Sequence, residues 1–205
     1  MADWEGNIKS MNGVRIPIEI SARHVHICRT DFEKLFGKNR GLTFVKELSQ
    51  PGQFLAKERV NIIGSKGYFE NVAIVGPFRK QTQVEVSLSD THKLGIMGII
   101  RQSGNIEDTP GCTMTVGENA VSLARGVIVA KRHIHVNSRD AEEMKLENNQ
   151  EVHVLVSSCD RSLIFGEVTV RVDENYNLAM HVDTDEANAF GGDETSFGMI
   201  TNICV

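Results

Sequence analysis

The amino-acid sequence predicts a mainly β protein with short helices, built as β-barrels or a β-sandwich from two similar halves. Three observations predict this class: short runs of β-branched residues, turn-forming residues between them, and a motif that recurs 109 residues later. Of the 205 residues, 40% are hydrophobic and 24% are charged, which is typical of a globular protein. A chain of this length fits one large domain or two small ones.

The strands are predicted from alternating or continuous apolar runs bounded by Gly, Pro, Asn and Asp. In the first run, counting by twos places Ile18, His24 and His26 on one face, and Glu19 and Val25 on the other. The predicted strands are 16–27, 59–63, 71–75, 82–87, 126–130, 151–157 and 166–172. The turns between them are predicted at 50–52, 64–67, 76–77, 109–111 and 173–177.

Two short helices are predicted from their capping residues. Thr30 is expected to cap a helix over 31–36, with Glu33 completing a capping box and Gly37 ending the helix. Ser138 is expected to cap a second helix over 139–146. No longer helix is predicted, so a doubly wound α/β sheet is disfavoured.

An internal repeat divides the chain. SARHVH at 21–26 recurs as AKRHIH at 130–135, and each copy precedes a hydroxyl residue and an acidic helix. A weaker echo relates EVSLSD at 85–90 to HVDTDE at 181–186, which places Glu85 opposite His181. We therefore predict a tandem duplication, with the two halves joined by the polar stretch 103–119.

Composition excludes several classes of protein. The net charge is −5 and no long basic run is present, so neither nucleic acid nor an anionic membrane is expected as a partner. The apolar stretches are too short to span a bilayer, and residues 1–6 do not resemble a signal peptide. The four cysteines lack paired spacing, which predicts reduced thiols in a cytoplasmic protein.

The two His-x-His pairs predict metal binding, because alternate residues of a strand point to the same side. A single pair is as easily a chance surface feature, but two pairs within a repeated frame favour ligands. The nitrogen and oxygen donors suit zinc, and cobalt, manganese and ferrous iron share this preference. His92 and His153 lack partners at ligand spacing and are expected to be structural. The repeat proposes two sites with open positions, His24, His26 and Glu85, and His133, His135 and His181.

Several other polar residues lie near these sites in the sequence. Arg79 precedes Glu85 at the mouth of a predicted strand, where a guanidinium can bind phosphate or carboxylate, or lie solvated in a loop. Arg23 and Arg132 point away from the histidines and are expected to be structural. The acidic cluster 183–186 either tunes the imidazoles or begins a helix. No phosphate-binding glycine loop or nucleophile elbow is present in the sequence.

Five blocks in the same order resemble the signature blocks of the PduL-type phosphate acyltransferases, which are phosphotransacylases. They are IEISARHVHI at 18–27, LSQPGQFLAK at 48–57, GPFRKQTQVEVS at 76–87, AKRHIHV at 130–136 and HVDTDEANA at 181–189. The resemblance covers about residues 14–190 and implies two β-barrel domains capped by short helices. The first domain is then 23–130, and the second is 131–205 completed by the N-terminal strand 14–22.

The resemblance also implies the chemistry. The two proposed groups become the ligands of a dinuclear site with two zinc ions, and Arg79 becomes the catalytic, phosphate-binding residue. The implied reaction converts propanoyl-CoA or acetyl-CoA and phosphate to acyl phosphate and coenzyme A, and we expect direct attack by bound phosphate. The residues that contact coenzyme A are not identified.

The same resemblance implies a cytoplasmic homodimer, with placement inside a bacterial microcompartment for propanediol degradation left open. Residues 1–13 do not show the amphipathic helix that targets some members there, and the tail 192–205 has no interpretation. Two alternatives stay open. One is a ferrous two-histidine, one-carboxylate oxygenase built on His24, His26 and Glu85, and the other is a non-catalytic metal-binding module.

Overall fold

The computed structural model describes residues 13–201, which form a mainly β structure with four short helices. The strands are β1 (Ile16–Ser21), β2 (His24–His26), β3 (Phe44–Glu47), β4 (Phe54–Ile63), β5 (Tyr68–Gly76), β6 (Gln83–Val86), β7 (Ile100–Arg101), β8 (Thr113–Val116), β9 (Asn119–Ser122), β10 (Val127–Ala130), β11 (His133–Val136), β12 (Glu151–Val156), β13 (Leu163–Val172), β14 (Ala179–Asp183) and β15 (Phe197–Thr201). The helices are α1 (Arg29–Phe36), α2 (Leu88–Leu94), α3 (Ser138–Met144) and α4 (Thr184–Phe190). Among these described helices, none is long and apolar enough to cross a membrane.

The chain divides into two compact units, one of residues 22–130 and one that joins the segment before residue 22 to the segment after residue 130. In the second unit six strands close into a barrel in the order β1-β14-β11-β13-β12-β15. The closure is made by β15, which pairs with both β12 and β1. Apolar side chains that include Ile16, Ile134 and Met180 fill the barrel and supply its burial energy.

The unit of residues 22–130 is built on a nine-stranded sheet, so the barrel predicted for the first domain, 23–130, is not found among the described strands. The hydrogen-bonded path runs β7-β10-β6-β2-β5-β4-β8-β9, with β3 paired to β4, and it does not close. The physical reason lies in residues 100–122, which contribute β7, β8 and β9 and extend both ends of the sheet. Among the described strands of this unit, none joins the two ends of the sheet as β15 joins β12 to β1 in the barrel.

The central strands of the two units nevertheless share one arrangement. The path β10-β6-β2-β5-β4 and the path β1-β14-β11-β13-β12 have the same alternation of parallel and antiparallel neighbours. In each case the strand that precedes a His-x-His pair in the chain belongs to the other unit. This correspondence agrees with the sequence repeat, and the duplication itself stays a prediction.

The predicted single strand over 16–27 is two strands, β1 and β2, which lie in different units. The break at residues 22–23 resets the alternation, so faces counted through it are wrong. Ile18 is buried in the barrel core, whereas Glu19 points to the outside of the barrel.

The helix starts differ from the predicted ones by one or two residues. The cap of α1 is Cys28 rather than Thr30, and the cap of α3 is Asn137, whose side chain accepts a hydrogen bond from the Asp140 amide. Both α2 and α4 begin with complete capping boxes, and α4 is the helix start foreseen as one interpretation of the acidic cluster 183–186. Gly37 ends α1 as predicted.

The stretch 103–119, expected to join the halves, lies inside the unit of residues 22–130, and the units meet in sequence at residues 130 and 131. Its polar, glycine-containing composition is typical of a linker. The structure instead uses it for β8 and for a serine that hydrogen-bonds to the site described below.

Some predictions fall partly or wholly outside the described residues. The predictions about a signal peptide and a targeting helix concern residues 1–12, which lie outside the described residues, and Cys204 lies outside them too. The other three cysteines are free thiols, as expected. Part of the uninterpreted tail has a clear role, because β15 closes the barrel.

Ile134 provides a test of the barrel core. Ile134 lies between His133 and His135 in sequence, and its side chain is fully buried in the barrel core. Ile134→Ala should therefore lower the free energy of unfolding by about 2–5 kcal/mol. Ile20→Ala, in the same barrel but 38% exposed, should cost less than half as much. Urea denaturation followed by circular dichroism measures both, and equal losses would contradict this assignment of the core.

Candidate metal centres

The first cluster, His24, His26 and Glu85, forms where β2 runs antiparallel to β6. The register pairs His24 with Glu85 directly, and Val25 and Val84, on the other face, are fully buried in the core. The Nε2 atoms of the two histidines lie 3.2 Å apart. The Glu85 oxygens lie 3.7 Å from His24 Nε2 and 3.5 Å from His26 Nε2. Strand alternation thus separates ligand atoms from core.

The hydrogen bonds of the two imidazoles assign their tautomers. His24 Nδ1 lies 2.9 Å from the Ala22 carbonyl oxygen, and His26 Nδ1 lies 3.2 Å from that of Val75. Because a carbonyl oxygen only accepts, each Nδ1 carries a proton, and the neutral form of such a ring turns an Nε2 lone pair toward the other two groups. Two such lone pairs and a carboxylate facing one another repel unless a cation lies among them. The cluster therefore fits a divalent metal ion, and second-partner hydrogen bonds of this kind orient histidine ligands.

The protonation states suit the same chemistry. Burial lowers the pKa of His26, and the charge of Glu85 offsets this only in part. Burial raises the pKa of Glu85, but the two histidines and a hydrogen bond from Ser103 outweigh it and hold that pKa well below its usual value. A neutral imidazole and an ionised carboxylate are the forms that bind metal.

The second cluster, His133, His135 and His181, lies on the outer face of the barrel, where β11 runs antiparallel to β14. The register pairs His133 with His181 directly. The ring centroids are 4.6–5.1 Å apart, and one ligand nitrogen of each ring lies within 4.8 Å of the others. His133 Nδ1 lies 2.8 Å from the Lys131 carbonyl oxygen, so Nδ1 carries a proton and Nε2 is the ring nitrogen that would coordinate a metal ion.

His135 shows why this group also fits a metal ion. Burial, followed by the charges of His133 and His181, lowers its pKa to about 2, so it stays neutral. Its Nδ1 is buried and has no hydrogen-bond partner among the described residues, while its ring packs 4.2 Å from that of Tyr176. Three imidazoles with convergent nitrogens are a ligand set of the kind that zinc prefers.

Arg23 and Arg132 have equivalent structural roles, as predicted. Arg23 makes two hydrogen bonds, of 2.9 and 2.7 Å, to Asp90 in the capping box of α2. Arg132 donates one of 2.9 Å to Glu186 in the capping box of α4, and another to the Gly166 carbonyl oxygen. Each arginine ties the start of a His-x-His strand to the helix that follows the third ligand of the same cluster.

Ser103 connects Arg79 to Glu85, and the sequence did not single it out. Its hydroxyl accepts from Arg79 Nη1 at 3.0 Å and from Gln83 Nε2 at 3.0 Å, and it donates to Glu85 Oε1 at 2.7 Å. One donor and two acceptor positions are thereby filled, which is the full capacity of a hydroxyl. Gln83 also donates to Glu85 Oε1 at 2.6 Å and accepts from the Gly104 amide.

A pocket of about 330 Å³ adjoins this network. Arg79 and His26 both line it, together with residues 51–53 and 76–77. Residues 51–53 belong to the block 48–57, to which no role was assigned. The pocket therefore offers a guanidinium and an imidazole to one bound molecule.

The structure thus groups six of the seven predicted site residues into two clusters and links the seventh, Arg79, to Glu85 through Ser103. His92 and His153 belong to neither cluster among the described residues. Gln83 could have been found from sequence, since it lies two residues before Glu85 on the same strand face. Ser103 could not, because only the fold brings it to β6.

Fold and site together define a β-rich protein with two histidine-rich candidate metal centres and an arginine-lined pocket beside one of them. The sequence matches the family model described as phosphate propanoyltransferase over residues 17–193. It is 51% identical to the phosphate propanoyltransferase of Leptotrichia buccalis over 85% of this chain and 82% of that protein. It is also 51% identical to that of Thermotoga maritima over 85% and 83%, and 46% identical to that of Sebaldella termitidis over 92% and 89%. The chain belongs to the phosphate propanoyltransferase family.

Metal stoichiometry tests the two clusters. The wild-type protein, stripped with chelator and loaded with Zn²⁺, should bind two ions per chain. The double variant His133→Ala, His135→Ala should bind one, because a single imidazole remains in that cluster and holds zinc weakly. His153→Ala, which removes an exposed histidine of the same barrel, should still bind two. Elemental analysis after gel filtration measures the ratio, and two ions retained by the double variant would contradict the assignment.

Ser103 is tested through the metal affinity of the Glu85 cluster. Ser103→Ala removes the hydroxyl donor to Glu85 and should weaken binding there about 10–100-fold, the usual effect of losing a hydrogen bond to a ligand. Ser103→Thr keeps the hydroxyl and should restore most of the affinity. Competition with a chromophoric chelator measures the metal affinity of the Glu85 cluster, and the affinity of the three-histidine cluster should stay unchanged.

Proposed function

We propose that this protein is a phosphate acyltransferase that transfers a short acyl group, propanoyl or acetyl, from coenzyme A to phosphate with the help of divalent metal ions. Family membership supports the acyltransferase class. The observation that carries the proposal is that Arg79 lines a pocket with His26 and is joined through Ser103 to Glu85. An anion-binding guanidinium thus lies beside a metal-ligand set.

Arg79 is assigned to phosphate. Its guanidinium is permanently charged and presents a planar fork of donors, which matches two phosphate oxygens. The hydrogen bond from Nη1 to Ser103 orients the group beside the pocket that it lines. A phosphate held in this way has lost the freedom that otherwise opposes reaction, which is how positioning contributes to rate.

The reaction needs no nucleophile from the protein. A phosphate oxygen attacks the carbonyl carbon of the thioester, and the bond from that carbon to sulfur breaks. The electron pair leaves with sulfur as the thiolate of coenzyme A, and the product is an acyl phosphate. Ping-pong kinetics or a trapped acyl-enzyme would contradict this single displacement.

The two clusters are assigned one metal ion each. His24, His26 and Glu85 would hold one, and His133, His135 and His181 would hold the other. Bound divalent ions supply Lewis acidity to a thioester carbonyl and counter-charge to a thiolate or a phosphate. The protein's own part is to lower the pKa of His26 and of His135 through burial, and to orient His26 and His133 through their Nδ1 hydrogen bonds.

Several finer expectations stay predictions of the resemblance. They are the dinuclear character of the site, zinc as its metal, propanoyl as the preferred group, the homodimer, and a cytoplasmic or microcompartment location. Acyl groups that differ by one methylene are separated by only about 1–3 kcal/mol in an apolar pocket.

A thiol-release assay with purified protein and acetyl-CoA or propanoyl-CoA tests the proposal. Release of coenzyme A should require phosphate and stop with chelator. Arg79→Ala should lower kcat/KM for phosphate by at least about 100-fold, a loss of about 2.7 kcal/mol, because no other donor fork replaces the guanidinium. Arg79→Lys should recover part of it.

Lys80→Ala is the matched control, because it removes an exposed neighbouring cation and should leave the kinetics unchanged. Release without phosphate would indicate a metal-dependent thioesterase. No release, with oxygen consumption or tight metal binding alone, would favour the oxygenase or the non-catalytic module.

A further inference from the structure

We propose that Glu19 contributes a carboxylate ligand to the metal ion held by His133, His135 and His181. The inference rests on the proposed function only in requiring that this cluster binds a metal. Glu19 lies on β1, which pairs in parallel with β14, and the register sets Glu19 directly beside His181. Residues paired in this way point to the same face of a sheet, and Ile18, next to Glu19, points into the barrel core.

The distance between the two side chains suits two ligands of one ion. Glu19 Oε2 lies 3.5 Å from His181 Nε2, beyond the 2.7–3.2 Å usual for a nitrogen–oxygen hydrogen bond. Ligands about 2.1 Å from a tetrahedral ion are separated by about 3.4 Å. In the other cluster, the proposed ligands Glu85 Oε1 and His26 Nε2 are separated by the same 3.5 Å.

Comparison of the two units supports the assignment. The strand equivalent to β1 is β10, which runs parallel to β6 and sets Ile128 beside Glu85. Where the third ligand is the carboxylate of Glu85, the neighbouring strand therefore places an isoleucine beside it. Where the third ligand is His181, the neighbouring strand places Glu19 beside it. With Glu19 included, each cluster has one carboxylate, supplied from a different strand.

The added carboxylate has a direct electrostatic consequence. Three neutral imidazoles leave the full charge of a divalent ion uncompensated, whereas one carboxylate halves it. Glu19 is part-exposed, with 32% of its side-chain surface accessible, so it can approach an ion from the solvent side of the barrel wall. The sequence placed Glu19 on the face opposite the histidines because the count ran through the break at residues 22–23.

The test isolates the three-histidine cluster by working in a Glu85→Ala background, where the other cluster has lost its carboxylate. Stripped protein is titrated with Co²⁺, and both the dissociation constant and the visible absorption spectrum are recorded. Glu19→Gln should raise the dissociation constant at least about tenfold and change the cobalt absorption bands, because a charged oxygen ligand is lost. Glu19→Asp should give an intermediate affinity.

Glu143→Gln is the control, because Glu143 lies exposed on α3 of the same unit and pairs only with Arg139 among the contacts described. It should leave affinity and spectrum unchanged, and thermal unfolding of each stripped variant reports on folding. An unchanged affinity and spectrum in folded Glu19→Gln would overturn the assignment of Glu19 while leaving the proposed function intact. No Co²⁺ binding by the wild-type protein would overturn the metal-dependent function as well. If Glu19→Gln does not fold, Glu19→Asp with wild-type affinity and spectrum would overturn the assignment.

Discussion

The structure depends on one repeated interaction, the antiparallel pairing of a His-x-His strand with the strand that carries the third ligand. The register sets His24 opposite Glu85 and His133 opposite His181. Between the histidines of each pair lies a fully buried residue, Val25 or Ile134. The same hydrogen-bonded ladder therefore packs the core on one face and gathers ligand atoms on the other. A slip of one residue would move the ligands into the core, so the core itself enforces the ligand geometry.

The second device that holds each cluster is the ion pair from Arg23 to Asp90 or from Arg132 to Glu186. Each acidic partner also completes the capping box of a helix, and that helix begins just after the strand that carries the third ligand. The arginine before the histidines and the helix after the third ligand thus constrain both sides of the site. Because the bonds involve charged groups and sharply directed geometry, they are stronger than ordinary surface contacts.

The electrostatic surroundings of the two clusters differ. Glu85 is held ionised by its neighbours and receives hydrogen bonds from Ser103 and Gln83. The three-histidine cluster relies on burial, which keeps His135 neutral. Ser103 also joins Arg79 to Glu85, so the guanidinium proposed to bind phosphate and a candidate metal ligand share one hydroxyl. Loss of that hydroxyl would disturb both, which makes the pocket and the cluster one functional unit.

The sequence alone was enough for the mainly β class, the short helices and the six candidate ligands, because strand alternation and the repeated His-x-His frame are local signals. It also placed Arg79 near Glu85, six residues along the chain. It failed wherever distant segments decide the outcome. The closure of one barrel by β15, the extension of the open sheet by β7, β8 and β9, and the placement of Glu19 beside His181 all arise from pairing between strands that the sequence pattern does not identify. Ser103 reaches Glu85 for the same reason. Periodicity reports which side of a strand a residue occupies, but only the tertiary structure decides which strand lies beside it.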